Sequence, residues 1–163
     1  MVILLLICVT LILALVDIVL KSSVEGSLTT KEERTAFKDK VIIRKVYNKG
    51  FSLNMMDDKP EVVKYTSVYI AVLMTIYQMF TLLRKGCPVK KLGLSVMSAG
   101  AWSNTFDRWF RGYVIDYIAV PSKNEKLKKL TFNLADIFLV AGGVIVIVAS
   151  VVSAIKEVFQ KES

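Results

Sequence analysis

Four stretches of this chain are apolar over nearly the thickness of a bilayer core, and that pattern constrains the fold more than any other feature. Val2 to Leu20 carries one charge, Asp17, and Val62 to Leu83 carries Lys64 near its start. Leu92 to Phe110 is the polar member of the set, with the small residues Ser95, Ser98, Gly100, Ala101 and Ser103. Leu130 to Ile155 holds Gly142-Gly143. A spanning helix needs about 20 mostly apolar residues, and small residues let such helices approach closely in lipid. The expected fold class is therefore membrane all-α, four transmembrane helices in a single polytopic domain over residues 1–163. Composition adds little: 54% of residues are hydrophobic, modestly above the roughly 45–50% of soluble domains, and the clustering matters more. The first block has no basic segment before it and no small-residue cleavage site after it, so it reads as a retained helix rather than a signal peptide.

The connections are polar. Within the long mixed-charge segment from Ser22 to Glu61, Val41 to Leu53 (VIIRKVYNKGFSL) has strand-like β-branched and aromatic content, with Asn48-Lys49-Gly50 as a turn signal. A small surface β element over residues 41–53 is expected. Four spans put both termini on one side. The short loop with Arg84, Lys85, Lys90 and Lys91 marks that side as cytoplasmic, because basic residues flanking spans stay inside. The net charge of +8 lies in loops between apolar blocks. It fits anionic lipid headgroups, not nucleic acid, which would call for a basic face on a soluble module.

The chain has no histidine, which removes Ser-His-Asp and Cys-His nucleophiles and most catalytic zinc sites. Cys8 and Cys87 are too few for a metal cluster and are not expected to form a disulfide. No metal and no cofactor is expected. Acid–base chemistry falls to carboxylates, Lys or Tyr. Asp107, Asp116 and Asp136, with Asn104 and Asn133, lie in or beside span-like segments, where an ionisable group is costly enough to mark a functional site. Asn104 and Asp107 are i, i+3 with Arg108 at i+4, and Asn133 and Asp136 repeat the i, i+3 spacing. Two carboxylates sharing one proton could activate water for peptide hydrolysis. Asp17 and Lys21, at i, i+4, could pair near the interface, with Lys21 snorkelling toward water. On the residues alone, catalysis, ion or proton transport and structural polar packing all stay open, and nothing ranks Asp116 above Asp107.

The segment N-T-F-D-R (Asn104 to Arg108), then V-I-D-Y (Val114 to Tyr117), then F-N-L-A-D (Phe132 to Asp136) resembles the lipoprotein signal peptidase, or signal peptidase II, family. Asp17-x-x-x-Lys21 and Asn48-Lys49-Gly50-Phe51-Ser52 resemble its other landmarks in the same order. The resemblance implies a membrane aspartyl endopeptidase of the bacterial inner membrane with cytoplasmic termini and its active site near the extracytoplasmic face. It implies a small outer β cradle and cleavage of diacylglyceryl-modified prolipoproteins before the lipidated cysteine. The implied partners are those prolipoproteins and membrane lipids, with a monomeric enzyme. Carried over by motif, Asp116 and Asp136 are the catalytic dyad. Asn48, Asn104, Arg108 and Asn133 bind or orient substrate and dyad. Asp17, Lys21 and Asp107 are structural polar residues, with Asp107 the partner of Arg108. Ser103 stands where the family usually has glycine, and its bulk is expected to crowd helix packing. A non-catalytic relative that binds lipidated peptides and a small ion or proton transporter are the alternatives.

Overall fold

The structure, a computed structural model, describes residues 1–51 and 55–161. Four long helices carry the fold: α1 (Val2–Ser27), α2 (Pro60–Leu83), α3 (Pro88–Phe110) and α5 (Leu134–Lys161). Between them lie the strands β1 (Glu33–Ala36), β2 (Val41–Asn48) and β3 (Val114–Ala119), and the short helix α4 (Glu125–Lys128). Three helices, Val2–Ser27, Pro60–Leu83 and Leu134–Gln160, are long and apolar enough to cross a membrane.

The fourth, α3, packs against α1, α2 and α5. Its position explains its polarity. Leu4, Leu11 and Leu15 of α1, Ile76 and Phe80 of α2, and Val144, Ile147 and Val151 of α5 stay exposed around it, as lipid-facing side chains should. The central helix meets protein instead, and it buries Ser95, Ser98, Ser103, Asn104, Thr105 and Asp107. Such groups need partners away from water. One set ties three helices together: Gln78 Nε2 on α2 donates to Thr10 Oγ1 of α1 at 3.1 Å and to Ser95 Oγ of α3 at 3.1 Å. Helices α3 and α5 approach each other closely. A Cβ on Gly100 would run into the carbonyl oxygen of Ala135 and the side chain of Leu139, and one on Gly142 would meet the Met97 amide nitrogen and the Gly93 carbonyl.

Hydropathy located these helices but not their ends. α1 continues to Ser27, seven residues past the expected Leu20, because hydropathy marks where lipid ends and not where helical hydrogen bonding does. α2 starts at Pro60 and α3 at Pro88, where proline's missing N–H costs nothing in a first turn. α5 starts at Leu134 rather than Leu130, because the residues before it pair with a strand.

The β element is larger than the expected 41–53 segment. Strand β2 ends at Asn48, and Ser52 and Leu53 lie outside the described residues. Its partners are β1 and β3, giving an antiparallel sheet of order β1-β2-β3. Gly112, at φ +80°, turns the chain from the end of α3 into β3. Ile115 and Tyr117 of β3 pack with Val24 and Leu28 at the end of α1. An isolated bridge then ties Phe132 to Ile118, with Ile118 N donating to Phe132 O at 2.7 Å and Phe132 N donating back at 2.9 Å. That bridge brings the first residues of α5 against β3.

Candidate active site

Asp116 sits in the middle of β3, opposite Val46 of β2, and Asp136 sits in the first turn of α5. Twenty positions apart in the chain, they line one cavity of about 450 Å3, together with Asn48, Asn104 and Arg108. Asn133 touches both. Its side chain Nδ2 donates to Asp116 Oδ1 at 2.7 Å, and its backbone N–H donates to Asp136 Oδ2 at 3.1 Å. Asp136 N donates in return to Asn133 Oδ1 at 3.0 Å. Asn133 and Asp136 thus form a reciprocal capping box at the start of α5, satisfying two backbone donors that the helix leaves open. The N-x-x-D spacing is the sequence signal for such a cap, and reading it would have located the start of α5.

Two more asparagines complete the surroundings. Asn48 Nδ2 donates to Asp116 Oδ2 at 3.0 Å, while its Oδ1 accepts from Gly50 N at 3.0 Å. Asn104 Nδ2 donates to Asp136 Oδ1 at 2.9 Å, while its Oδ1 accepts from Lys21 Nζ at 2.7 Å. Each of the three carboxamides has its oxygen held by a donor, so each must turn its NH2 toward a carboxylate. All four carboxylate oxygens of Asp116 and Asp136 therefore accept at least one N–H. Burial and the negative charge of Asp136 push the Asp116 carboxyl up to about 7, against the opposing pull of the hydrogen bonds from Asn48 and Asn133.

Behind this layer is a buried charge cluster. Lys21 is fully buried, 2.7 Å from Asp17 and 3.3 Å from Asp107. The i, i+4 pairing of Asp17 with Lys21 forms, but Lys21 does not snorkel; α3 and β3 close over it. Tyr117 Oη donates to Asp17 Oδ1 at 3.1 Å and Ser103 Oγ donates to Asp17 Oδ2 at 2.6 Å. The hydroxyl of Ser103 also accepts from Lys21 at 3.3 Å. Ser103 thus belongs to the cluster through its hydroxyl rather than simply adding bulk between helices. Asp107 pairs with Arg111 at 2.9 Å and with Lys21, not with Arg108. Neighbours in a helix point about 100° apart, so an i, i+1 pair cannot face each other. Arg108 instead turns toward the cavity, where Nη2 donates to Gly50 O at 2.9 Å and the guanidinium lies over Phe51. Its buried Nε meets no acceptor among the described residues.

The rest of the cavity wall is mostly apolar, with Ile70 and Met74 of α2 and Leu139 and Val140 of α5 beside the polar end, interrupted by the hydroxyl residues Ser67, Thr105 and Thr131. Among the described residues there is no group of three or more Cys, Asp or Glu side chains placed to hold a metal ion. The arrangement offers two acids on one cavity, a buried donor beside them, and an apolar wall running along the bundle.

Residues 9–152 match the family described as signal peptidase (SPase) II. The chain is 26% identical to the lipoprotein signal peptidase of Syntrophomonas wolfei over 85% of its length and 87% of that protein's. It is 28% identical to the lipoprotein signal peptidase of Neisseria gonorrhoeae over 86% of its length and 88% of that protein's. Among solved structures, it is similar in fold to a bacterial membrane enzyme determined at 2.3 Å by the in meso method. The TM-score is 0.78 at 19% identity, covering 91% of this chain and 88% of that one.

Proposed function

This chain belongs to the signal peptidase II family and is a peptidase of lipoprotein precursors, and from that premise we propose that it works as an aspartyl endopeptidase with Asp116 and Asp136 as its dyad. The substrate is a prolipoprotein carrying a diacylglyceryl-modified cysteine, and the scissile bond is the one before that cysteine. The observation that carries the reading is the shared cavity, in which two acids from different elements are joined through Asn133.

In this mechanism Asp116 carries the shared proton, consistent with a carboxyl pushed up to about 7, and donates it toward the scissile carbonyl oxygen. Asp136 accepts a proton from a water held between the two. The hydroxide adds to the carbonyl carbon, and the tetrahedral species collapses as the C–N bond breaks. The leaving nitrogen takes the proton from Asp136, and Asp116 recovers its own as the carbonyl re-forms. Asn48, Asn104 and Asn133 hold the carboxylates in place, and the open Nε–H of Arg108 is a donor for a substrate carbonyl. The acyl chains lie along Ile70, Met74, Leu139 and Val140.

The enzyme acts as a monomer in the bacterial inner membrane, with both termini and the basic Arg84–Lys91 loop cytoplasmic and the dyad at the outer interface. Asp116→Asn and Asp136→Asn should each abolish cleavage of a lipid-modified precursor peptide in detergent or lipid, while the protein still purifies with unchanged helix content. Normal turnover in either variant would end the aspartyl reading.

A further inference from the structure

The buried cation Lys21 touches neither acid of the dyad, yet it is one residue away from Asp136. Its Nζ donates to Asn104 Oδ1 at 2.7 Å, and Asn104 Nδ2 donates to Asp136 Oδ1 at 2.9 Å. A carboxamide is nearly symmetric in shape, and turning it over by 180° swaps a donor for an acceptor. An ammonium has three N–H bonds and no acceptor. A cation fixed on one side of Asn104 therefore forbids the flipped state, in which an amide NH2 would face the ammonium and an amide oxygen would face a carboxylate. The other two carboxamides are fixed by backbone N–H groups, Gly50 for Asn48 and Asp136 itself for Asn133. Only Asn104 depends on a side chain, and that side chain comes from the first helix.

Resting on the dyad reading above, we propose that Lys21 is a positioning residue for catalysis: by locking the amide of Asn104 it fixes the Asp136 carboxylate in its catalytic orientation. Its ion pair with Asp17 is then the means of holding the ammonium in place rather than its purpose. Ser103 takes part as well, because its hydroxyl bridges Lys21 and Asp17 at 3.3 and 2.6 Å. The cluster is otherwise complete without the dyad. Asp107 has Arg111, Lys21 and the Ile115 N–H, and Asp17 has Lys21, Ser103 and Tyr117.

Lys21→Met alone would leave the buried Asp17 without a cation, while Asp107 keeps Arg111, and the stranded charge destabilises the bundle. The informative variant is Lys21→Met combined with Asp17→Asn, which removes both charges together while leaving an amide oxygen to accept from one of the Ser103 and Tyr117 hydroxyls and an NH2 to donate to the other. Steady-state cleavage of a lipid-modified peptide should show kcat reduced about 10- to 100-fold with KM within twofold, since the loss is of orientation and not of substrate contact. Adding the pair to Asn104→Leu should then lower kcat no further, because the lock has nothing left to hold. Wild-type kcat in the double variant, or full additivity with Asn104→Leu, overturns the proposal. If the double variant does not fold, Asn104→Leu with and without Ser103→Gly gives the same comparison, with non-additivity expected and full additivity overturning it. Asp116→Asn, run alongside, separates the two levels: if it still cleaves, the dyad itself is misassigned, whereas an inactive Asp116→Asn beside an unaffected Lys21 pair removes only the lock.

Discussion

Asn133 performs two tasks with different atoms, and substitutions can separate them. Its Oδ1 and backbone N–H cap α5 through Asp136, while its Nδ2 holds Asp116 Oδ1 at 2.7 Å in a fully buried position. Serine caps a helix about as well as asparagine but is too short to reach a second carboxylate with a donor. Asn133→Ser should therefore keep the helix start and lose the grip on Asp116. A hydrogen bond to the protonated, neutral Asp116 carboxyl is worth about 0.5–1.5 kcal/mol, and each 1.36 kcal/mol is tenfold in rate, so kcat should fall about 2- to 13-fold. Asn133→Ala loses the cap too, at a cost of about 1 kcal/mol, which lowers Tm by about 2–4 °C for a chain of this size. The assay is kcat on a lipid-modified peptide together with thermal unfolding in the same detergent. A Tm in the serine variant below wild type because the buried contact with Asp116 is gone, a lower Tm still in the alanine variant because the cap is gone too, and a similar kcat loss in both is the expected set. A serine variant with wild-type kcat would refute the reasoning, because the contact with Asp116 would then contribute nothing to turnover.

Three further outcomes follow from the same geometry. Turnover should decline as pH rises above about 7, where Asp116 gives up the proton the mechanism needs, and a rate still climbing past pH 8 would contradict its role as the acid. The stability linkage has a definite sign. Between the ordinary value of 3.8 and about 7 the folded protein holds a proton on Asp116 that the unfolded chain has lost, so this group's contribution is complete below about pH 4 and is lost as pH rises through about 7. The Tm difference between Asp116→Asn and wild type should accordingly move in the variant's favour from pH 4 to pH 8. Gly100→Ala should push α5 from α3 at Ala135, next to Asp136, and cost both Tm and activity. Gly143→Ala meets nothing within 4 Å and should leave activity unchanged while gaining up to about 1 kcal/mol of helix stability; equal behaviour of the two variants on unfolding and cleavage would refute the close-packing account.

The sequence by itself determined that this is a bundle of long helices, because the backbone in lipid has few alternatives and the apolar blocks have the length of a span. It also contained the Asp17–Lys21 pair, the local i, i+4 contact within α1, and the N-x-x-D cap of α5, since both are set by helical spacing. The choice among the acids lay beyond residue spacing and rested on the motif resemblance. Asp107, in the same motif as Asn104 and Arg108, is matched by Lys21 and Arg111, whereas among the described residues the hydrogen bonds to the Asp116 side chain come from the carboxamides of Asn48 and Asn133. That difference arises from a sheet of order β1-β2-β3 and from the Ile118–Phe132 bridge, pairings between residues distant in the chain. Local spacing places side chains on a face; only the closed tertiary structure decides which faces meet and which buried charge is left facing another acid.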